Sequence, residues 1–186
     1  MRLLQRIKLF SLIIVLTVVS IVTMASPAGA TGTPDTSGSS SSRTSAAAPA
    51  YTINNYDVDI TVNQFNQLHI EETIKATFHQ QRHGIVRSLA KVNYVARMDG
   101  SKSTVNAKIS NLKVLSHRFT TGESSNFTNI KIGDPNTYAK TNETYRLSYD
   151  YDLGTDQLSR ADEFYFNIIG AGWNTGITKV DFHITM

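Results

Sequence analysis

The chain has no cysteine among its 186 residues. That excludes a disulfide framework, a zinc ribbon, thiolate metal sites and cysteine nucleophiles. Charged residues are sparse at 18%, and a single tryptophan accompanies eight tyrosines and eight phenylalanines. No apolar run reaches the roughly 20 residues that a membrane-spanning helix requires, which excludes a polytopic membrane protein. There is no Gly-x-Ser-x-Gly elbow and no phosphate-cradling glycine loop. What is present, at 40% hydrophobic residues, is the composition of one globular domain behind an N-terminal extension.

The extension is legible as an address. Arg2, Arg6 and Lys8 precede a mostly aliphatic run from Leu9 to Val22, and small residues follow to Ala28-Gly29-Ala30. This pattern predicts a secretory signal peptide over residues 1–30, cleaved before Thr31; an uncleaved anchor is the alternative reading. Of the 18 basic residues, three lie in that segment, so the mature chain carries 15 against 15 acids and is formally neutral. The excess of +3 is therefore no argument for nucleic acid. Residues 31–50 are almost entirely Ser, Thr, Ala, Gly and Pro. They cannot bury enough apolar surface to offset the entropy of ordering, which predicts a disordered linker. The folded domain is expected over residues 51–186.

Within that domain apolar residues recur at every second position. Tyr56, Val58, Ile60 and Val62 alternate, then Leu68, Ile70, Ile74, Ala76 and Phe78, with polar residues between them. The two runs predict a β-hairpin with one wet face. Tyr145, Leu147, Tyr149 and Tyr151 alternate likewise, as do Val180, Phe182, Ile184 and Met186, and shorter apolar runs lie at 109–115, 127–132 and 164–169. Turn signals fall at Asp99-Gly100, Thr121-Gly122, Gly133-Asp134-Pro135, Gly154-Thr155 and Gly170-Ala171-Gly172. The fold expected is all-β, an antiparallel β-sandwich of about seven to eight strands. Ile85, Leu89, Val92 and Ala96 also fit helical spacing, which leaves a short helix open there.

Glu72 breaks the pattern, because it falls on the apolar face of the Leu68–Phe78 run. A carboxylate facing a core must be paired, hydrogen-bonded or protonated. Arg87, in Gly84-Ile85-Val86-Arg87-Ser88-Leu89, is the basic residue in an equally apolar setting. A structural Glu72–Arg87 ion pair is expected, fixing how this segment lies on the sheet. A bulge turning Glu72 outward is the competing reading.

Leu68-x-Ile70-x-Glu72-x-Ile74, Gly84-Ile85-x-Arg87, Thr144-Tyr145-Arg146-Leu147-x-Tyr149 and the stretch from Glu163 to Gly170-x-Gly172-Trp173 together resemble a family of predicted bacterial membrane proteins, domain of unknown function 2207. That family usually carries Tyr-Trp-Asn where this chain has Tyr165-Phe166-Asn167. The resemblance implies an extracytoplasmic β-rich domain behind a signal peptide and ahead of a membrane segment. A truncated gene or a shortened secreted relative would each account for the end at Met186. The family brings no established activity and no catalytic residues.

Charge is uneven along the domain. Residues 80–119 contain Arg82, Arg87, Lys91, Arg97, Lys102, Lys108, Lys113 and Arg118 against Asp99 alone, whereas residues 134–163 contain seven acids and three bases. In an exported protein such a basic block is a candidate surface for anionic envelope polymer or lipid head groups; a membrane-protein partner is the other candidate. The bland reading is that the two blocks neutralise each other in space. Trp173 and Tyr165 are candidate aromatic contacts, with core or corner packing favoured for Trp173. Asp150-x-Asp152-x-Gly154-x-Asp156 places glycine fifth and Ala161 twelfth, which is not an EF-hand loop; a different calcium loop using Asp150, Asp152, Asp156 and Asp162 is the alternative to a simpler solvated hairpin tip. His79 and His83 are four apart but lie on a predicted strand and loop, so no metal or other cofactor is expected. Asn126-Phe127-Thr128 and Asn142-Glu143-Thr144 are sequons with meaning only in a eukaryotic secretory host. The functional expectation is a non-enzymatic cell-surface ectodomain or binding module. Its competitor is an envelope hydrolase built from Asp57, Asp59, Glu71 or Glu72.

Overall fold

The computed structural model describes residues 48–97, 100–154 and 164–186. Residues 1–30, expected as a signal peptide, nearly all of residues 31–50, expected as a linker, and Asp156 and Asp162 lie outside the described residues. Ten strands are present and no helix among the described residues: β1 (Tyr51–Val62), β2 (Gln67–Phe78), β3 (Gly84–Ala90), β4 (Val92–Ala96), β5 (Lys102–Asn106), β6 (Lys108–Val114), β7 (Phe119–Glu123), β8 (Phe127–Gly133), β9 (Asn142–Asp152) and β10 (Val180–Thr185). They form a five-stranded sheet in the order β10-β1-β2-β9-β6, a three-stranded sheet β3-β8-β7 and the hairpin β4-β5.

The hairpin of β1 and β2 follows from the period-two pattern, and its turn is closed by side-chain chemistry. The Asn63 carboxamide oxygen accepts the amides of Phe65 and Gln67 at 2.9 and 3.1 Å, while Asn66 takes a left-handed backbone with φ of 60°. Upstream, the register slips between Ile53 and Asn55. That one extra residue changes the parity, so Tyr51 and Ile53 face inward along with Tyr56, Val58 and Ile60. Leu68, Ile70, Glu72, Ile74, Ala76 and Phe78 of β2 are all buried, and so are Tyr145, Leu147, Tyr149 and Tyr151 of β9. Ile85 and Leu89 of β3 and Ile130 and Ile132 of β8 join the same hydrophobic core. The five-stranded and three-stranded sheets therefore share one interior.

The architecture departs from the sequence-based expectation in several places. The strands number ten, and one pairing is parallel: β10 lies on β1 with Val58 level with Phe182 and Ile60 level with Ile184. Alternation reports which face a residue takes but not the direction of its neighbour, and parallel neighbours need only a long crossover between them. The helical reading of Ile85 to Ala96 fails. The segment is β3 and β4, because Arg87 belongs with Ile85 and Leu89 on one buried face at period two. Residues 164–169 form no strand, although Phe164, Phe166 and Ile168 still pack on the core. Thr121-Gly122 is no turn; it lies in β7, an exposed edge strand where glycine is tolerated.

Two glycines face each other where β3 and β8 meet. Gly84 and Gly133 are register partners with φ of 142° and 143°. A Cβ on Gly84 would sit 1.9 Å from the Ile132 carbonyl oxygen, and one on Gly133 would sit 1.8 Å from that of His83. Both obstacles are backbone, so neither can swing away. Gly133→Ala is expected to lose about 2–4 kcal/mol, with an unchanged denaturant slope in equilibrium unfolding. Gly100→Ala, at φ of 83° but in open space, is expected to cost distinctly less.

Candidate functional site

The most concentrated chemistry in the described residues lies between the two larger sheets. β2 puts Glu72 on its inner face, flanked by Val58 of β1 and Leu147 of β9. β3 brings Arg87 down onto it. The guanidinium donates in bidentate fashion, Nε to Glu72 Oε2 at 2.9 Å and Nη2 to Oε1 at 2.8 Å. Both side chains are out of solvent, at 0% and 2% exposure.

The surroundings complete the pair. The Tyr149 hydroxyl donates to Glu72 Oε1 at 2.6 Å, and Arg87 Nη1 donates to the Ser88 carbonyl at 2.9 Å. The guanidinium carbon lies 5.8 Å from the Tyr56 ring centre and 5.5 Å from that of Trp173, within cation–π range of both. The two rings meet edge-on at 5.9 Å, and the Trp173 indole donates to the Ile169 carbonyl at 2.9 Å. Gly170 completes the enclosure: a Cβ there would stand 2.2 Å from Arg87 Nη1. Burial opposes the charge on Arg87, but the carboxylate of Glu72 and the hydroxyls of Tyr56 and Tyr149 raise its pKa well above the ordinary value. Burial, reinforced by the Glu72 charge, pushes the Tyr149 phenol well up. Tyr56 is raised in the same direction, again chiefly by burial.

Beside this centre a cavity of about 50 Å³ runs along β3 to Gly170 and Ala171. Asn93 and Tyr151 contribute to its polar wall; Asn93 donates to the Tyr151 hydroxyl, which donates to the Ala90 carbonyl, both at 2.7 Å. Its size suits a few water molecules rather than an organic substrate.

The structure does not gather the other sequence-derived candidates into one site. Lys91 pairs with Glu123 at 2.8 Å, and Arg118 approaches Asp134 at 3.8 Å. Lys108 and Lys113 lie on the outer face of β6, where Lys108 is level with Asp152 and Lys113 with Ser148. Hydrogen bonds from His69 and then Asn111 hold the Asp150 carboxyl below its ordinary value, and the Lys113 charge adds a little. Lys102 is exposed on β5, while Arg82 and Arg97 flank β3 and β4. The basic block is thus spread over separate sheets and partly neutralised by the acidic one. Asp57, Asp59 and Glu71 share the outer face with Asp59 and Glu71 level, but Glu72 is withdrawn from that set. His79 contacts Thr52, and His83 contacts Thr137 and stacks on Tyr138. Among the described residues no group of three or more His, Asp or Glu is placed to hold a metal ion. Tyr165 is half-buried, and Trp173 packs on the core over Arg87. Sequence reasoning missed Tyr56, Tyr149 and Gly170 as members of the buried centre. The glycines around Trp173 were the one local signal.

A family model described as predicted membrane protein (DUF2207), N-terminal domain, matches residues 52–186. No curated protein matches the sequence. Among solved structures, the M1 zinc metallopeptidase from Deinococcus radiodurans is similar at 17% identity and a TM-score of 0.34, over 59% of this chain and 21% of that one. A putative protease from Parabacteroides distasonis is similar at 10% identity and a TM-score of 0.29, over 61% of this chain and 25% of that one. The chain thus spans about a quarter or less of these structures, and likeness at this level carries no functional argument.

Glu72→Gln leaves a buried guanidinium without its counter-charge and is expected to cost about 3–5 kcal/mol in equilibrium unfolding. Combining Glu72→Leu with Arg87→Met removes both charges and is expected to regain most of that loss. The folded state also holds the Tyr56, Tyr145 and Tyr149 phenols protonated above their ordinary value of 10.0. Their contribution to stability is complete below that value and is lost as pH rises through the raised folded values. Alkaline titration should therefore show phenolate absorbance from these tyrosines appearing together with loss of β circular dichroism.

Proposed function

Because the chain belongs to the predicted membrane protein (DUF2207) N-terminal domain family, we propose that residues 51–186 form an exported, non-enzymatic ectodomain, a rigid binding module at the cell surface. In this reading the two larger sheets are the layers of a β-sandwich, and the segment before residue 51 exports and spaces the domain. The observation that carries it is the closed Glu72–Arg87 centre. A fully paired, solvent-excluded charge couple makes a stiff scaffold and, among the described residues, leaves no unpaired buried acid or base to turn over substrate. Recognition then falls to the outer surface. Lys108 and Lys113 on β6 and Lys102 on β5 are among its exposed cations, suited to an anionic envelope polymer.

The test is retention of the full chain on purified cell-wall material across ionic strength. Retention is expected to fall several-fold between roughly 0.05 and 0.5 M salt, and Lys108→Gln with Lys113→Gln should reproduce much of that loss. Lys91→Gln, whose parent cation is paired with Glu123, should matter less. Retention indifferent to salt, or preference for anionic vesicles or a membrane protein over wall, would overturn the polymer assignment. Release of soluble wall fragments that Glu71→Gln abolishes would overturn the non-enzymatic reading.

A further inference from the structure

β10 ends the five-stranded sheet and has β1 as its single strand neighbour among the described residues. Its ladder fixes which backbone groups remain open. Tyr56, level with Val180, donates its amide to the Lys179 carbonyl at 2.9 Å. In a parallel pair this turns the amides and carbonyls of Asp181 and His183 toward β1 and leaves those of Val180, Phe182 and Ile184 at the open edge. Such a row of free donors and acceptors is a template for another strand. Phe182 is level with Val58 and so faces the core side of the sheet, yet it stays 46% exposed.

The sequence of this edge is complementary to itself. Around Phe182 it reads Val180-Asp181-Phe182-His183-Ile184. An antiparallel partner related by a two-fold axis at Phe182 sets Phe182 against its own copy, Val180 against Ile184, and Asp181 against His183. The residues that would exchange hydrogen bonds are then the three with free backbone groups. The acid and the imidazole occupy the closer, non-hydrogen-bonded positions on the outer face. A one-residue slip would point the free groups past each other, and a two-residue slip would shorten the overlap. The present partners of the two polar side chains, Lys179 at 2.6 Å for Asp181 and Asp59 at 3.9 Å for His183, are exposed contacts that exchange at little cost.

We propose that β10 is a homodimerisation edge, on which a second copy of this chain adds antiparallel to make one continuous sheet from the two five-stranded ones. The interface is isologous, so each Asp181–His183 contact occurs twice. The half-exposed Phe182 gains a cross-strand aromatic partner on the core side. Chemistry matched to itself favours a second copy over an unrelated extended peptide.

The absence of cysteine makes the test direct, since one introduced thiol reports on this edge alone. In the full chain under mild oxidation, Phe182→Cys should cross-link to itself. Asp181→Cys and His183→Cys should each stay largely unlinked, because their own copies lie a diagonal of about 7–8 Å apart. Mixed together, those two variants should link to each other. Asp181→Lys should lower the dimer fraction in sedimentation several-fold, and Asp181→His combined with His183→Asp should restore it. Monomeric sedimentation at all concentrations would overturn the proposal, as would equal cross-linking from all three single variants. Should Phe182→Cys fail to fold, the Asp181→Cys and His183→Cys mixture decides alone: failure of that mixture to link, with both variants unfolding as the parent does, is equally fatal.

Discussion

The bidentate contact between Glu72 and Arg87 is the constraint on which the rest of the domain is arranged. Its two halves come from different sheets, so it forms only when the five-stranded and three-stranded sheets meet in one register. Taking both ions out of water costs several kcal/mol each, and only close geometry with further hydrogen bonds offsets that. Tyr149, the Ser88 carbonyl and the rings of Tyr56 and Trp173 supply the remainder. A one-residue slip of β2 would carry Glu72 to the wet face and strand Arg87 in the core. The pair contributes less as net stability than as selection of one arrangement over its neighbours.

The same contact explains how an irregular segment holds its place. Residues 164–173 make no strand, yet Gly170 lies against the guanidinium, Ala171 bridges to Ser88, and Trp173 caps Arg87 while bonding back to Ile169. The missing side chain at Gly170 and the large one at Trp173 are two parts of one fit. The small adjoining cavity, walled by Asn93, Tyr151 and Asn167, is what remains where this segment and β3 do not close completely.

The outer face works on a different principle. There Asp57, Asp59, Glu71, Asp150 and Asp152 are interspersed with His69, Lys75, Lys108, Lys113 and Arg146, although Asp59 and Glu71 lie side by side. Exposed pairs of this kind contribute little to stability, and they leave a surface that is charged but not strongly one-signed. The interior enforces the fold, and the exposed exterior does little to constrain it.

Much of this was determined by the sequence alone, for a plain reason. Period-two alternation names the buried face of a strand whatever lies opposite, so the inward residues of β2, of β9 and of β1 from Tyr56 on were legible from local pattern, whereas Tyr51 and Ile53, beyond the bulge, were not. One acid inside such a pattern, and one base in an equally apolar stretch, were enough to join Glu72 to Arg87 across fifteen positions, because an unpaired buried charge is too costly to persist. Only the tertiary structure could decide the remainder. The parallel seat of β10, the Tyr56 and Trp173 rings around the guanidinium, the Tyr149 hydroxyl on Glu72 and the dispersal of the basic residues over separate sheets all depend on strand order. Strand order is set by which distant segments meet in space, and alternation along one strand carries no record of its neighbour.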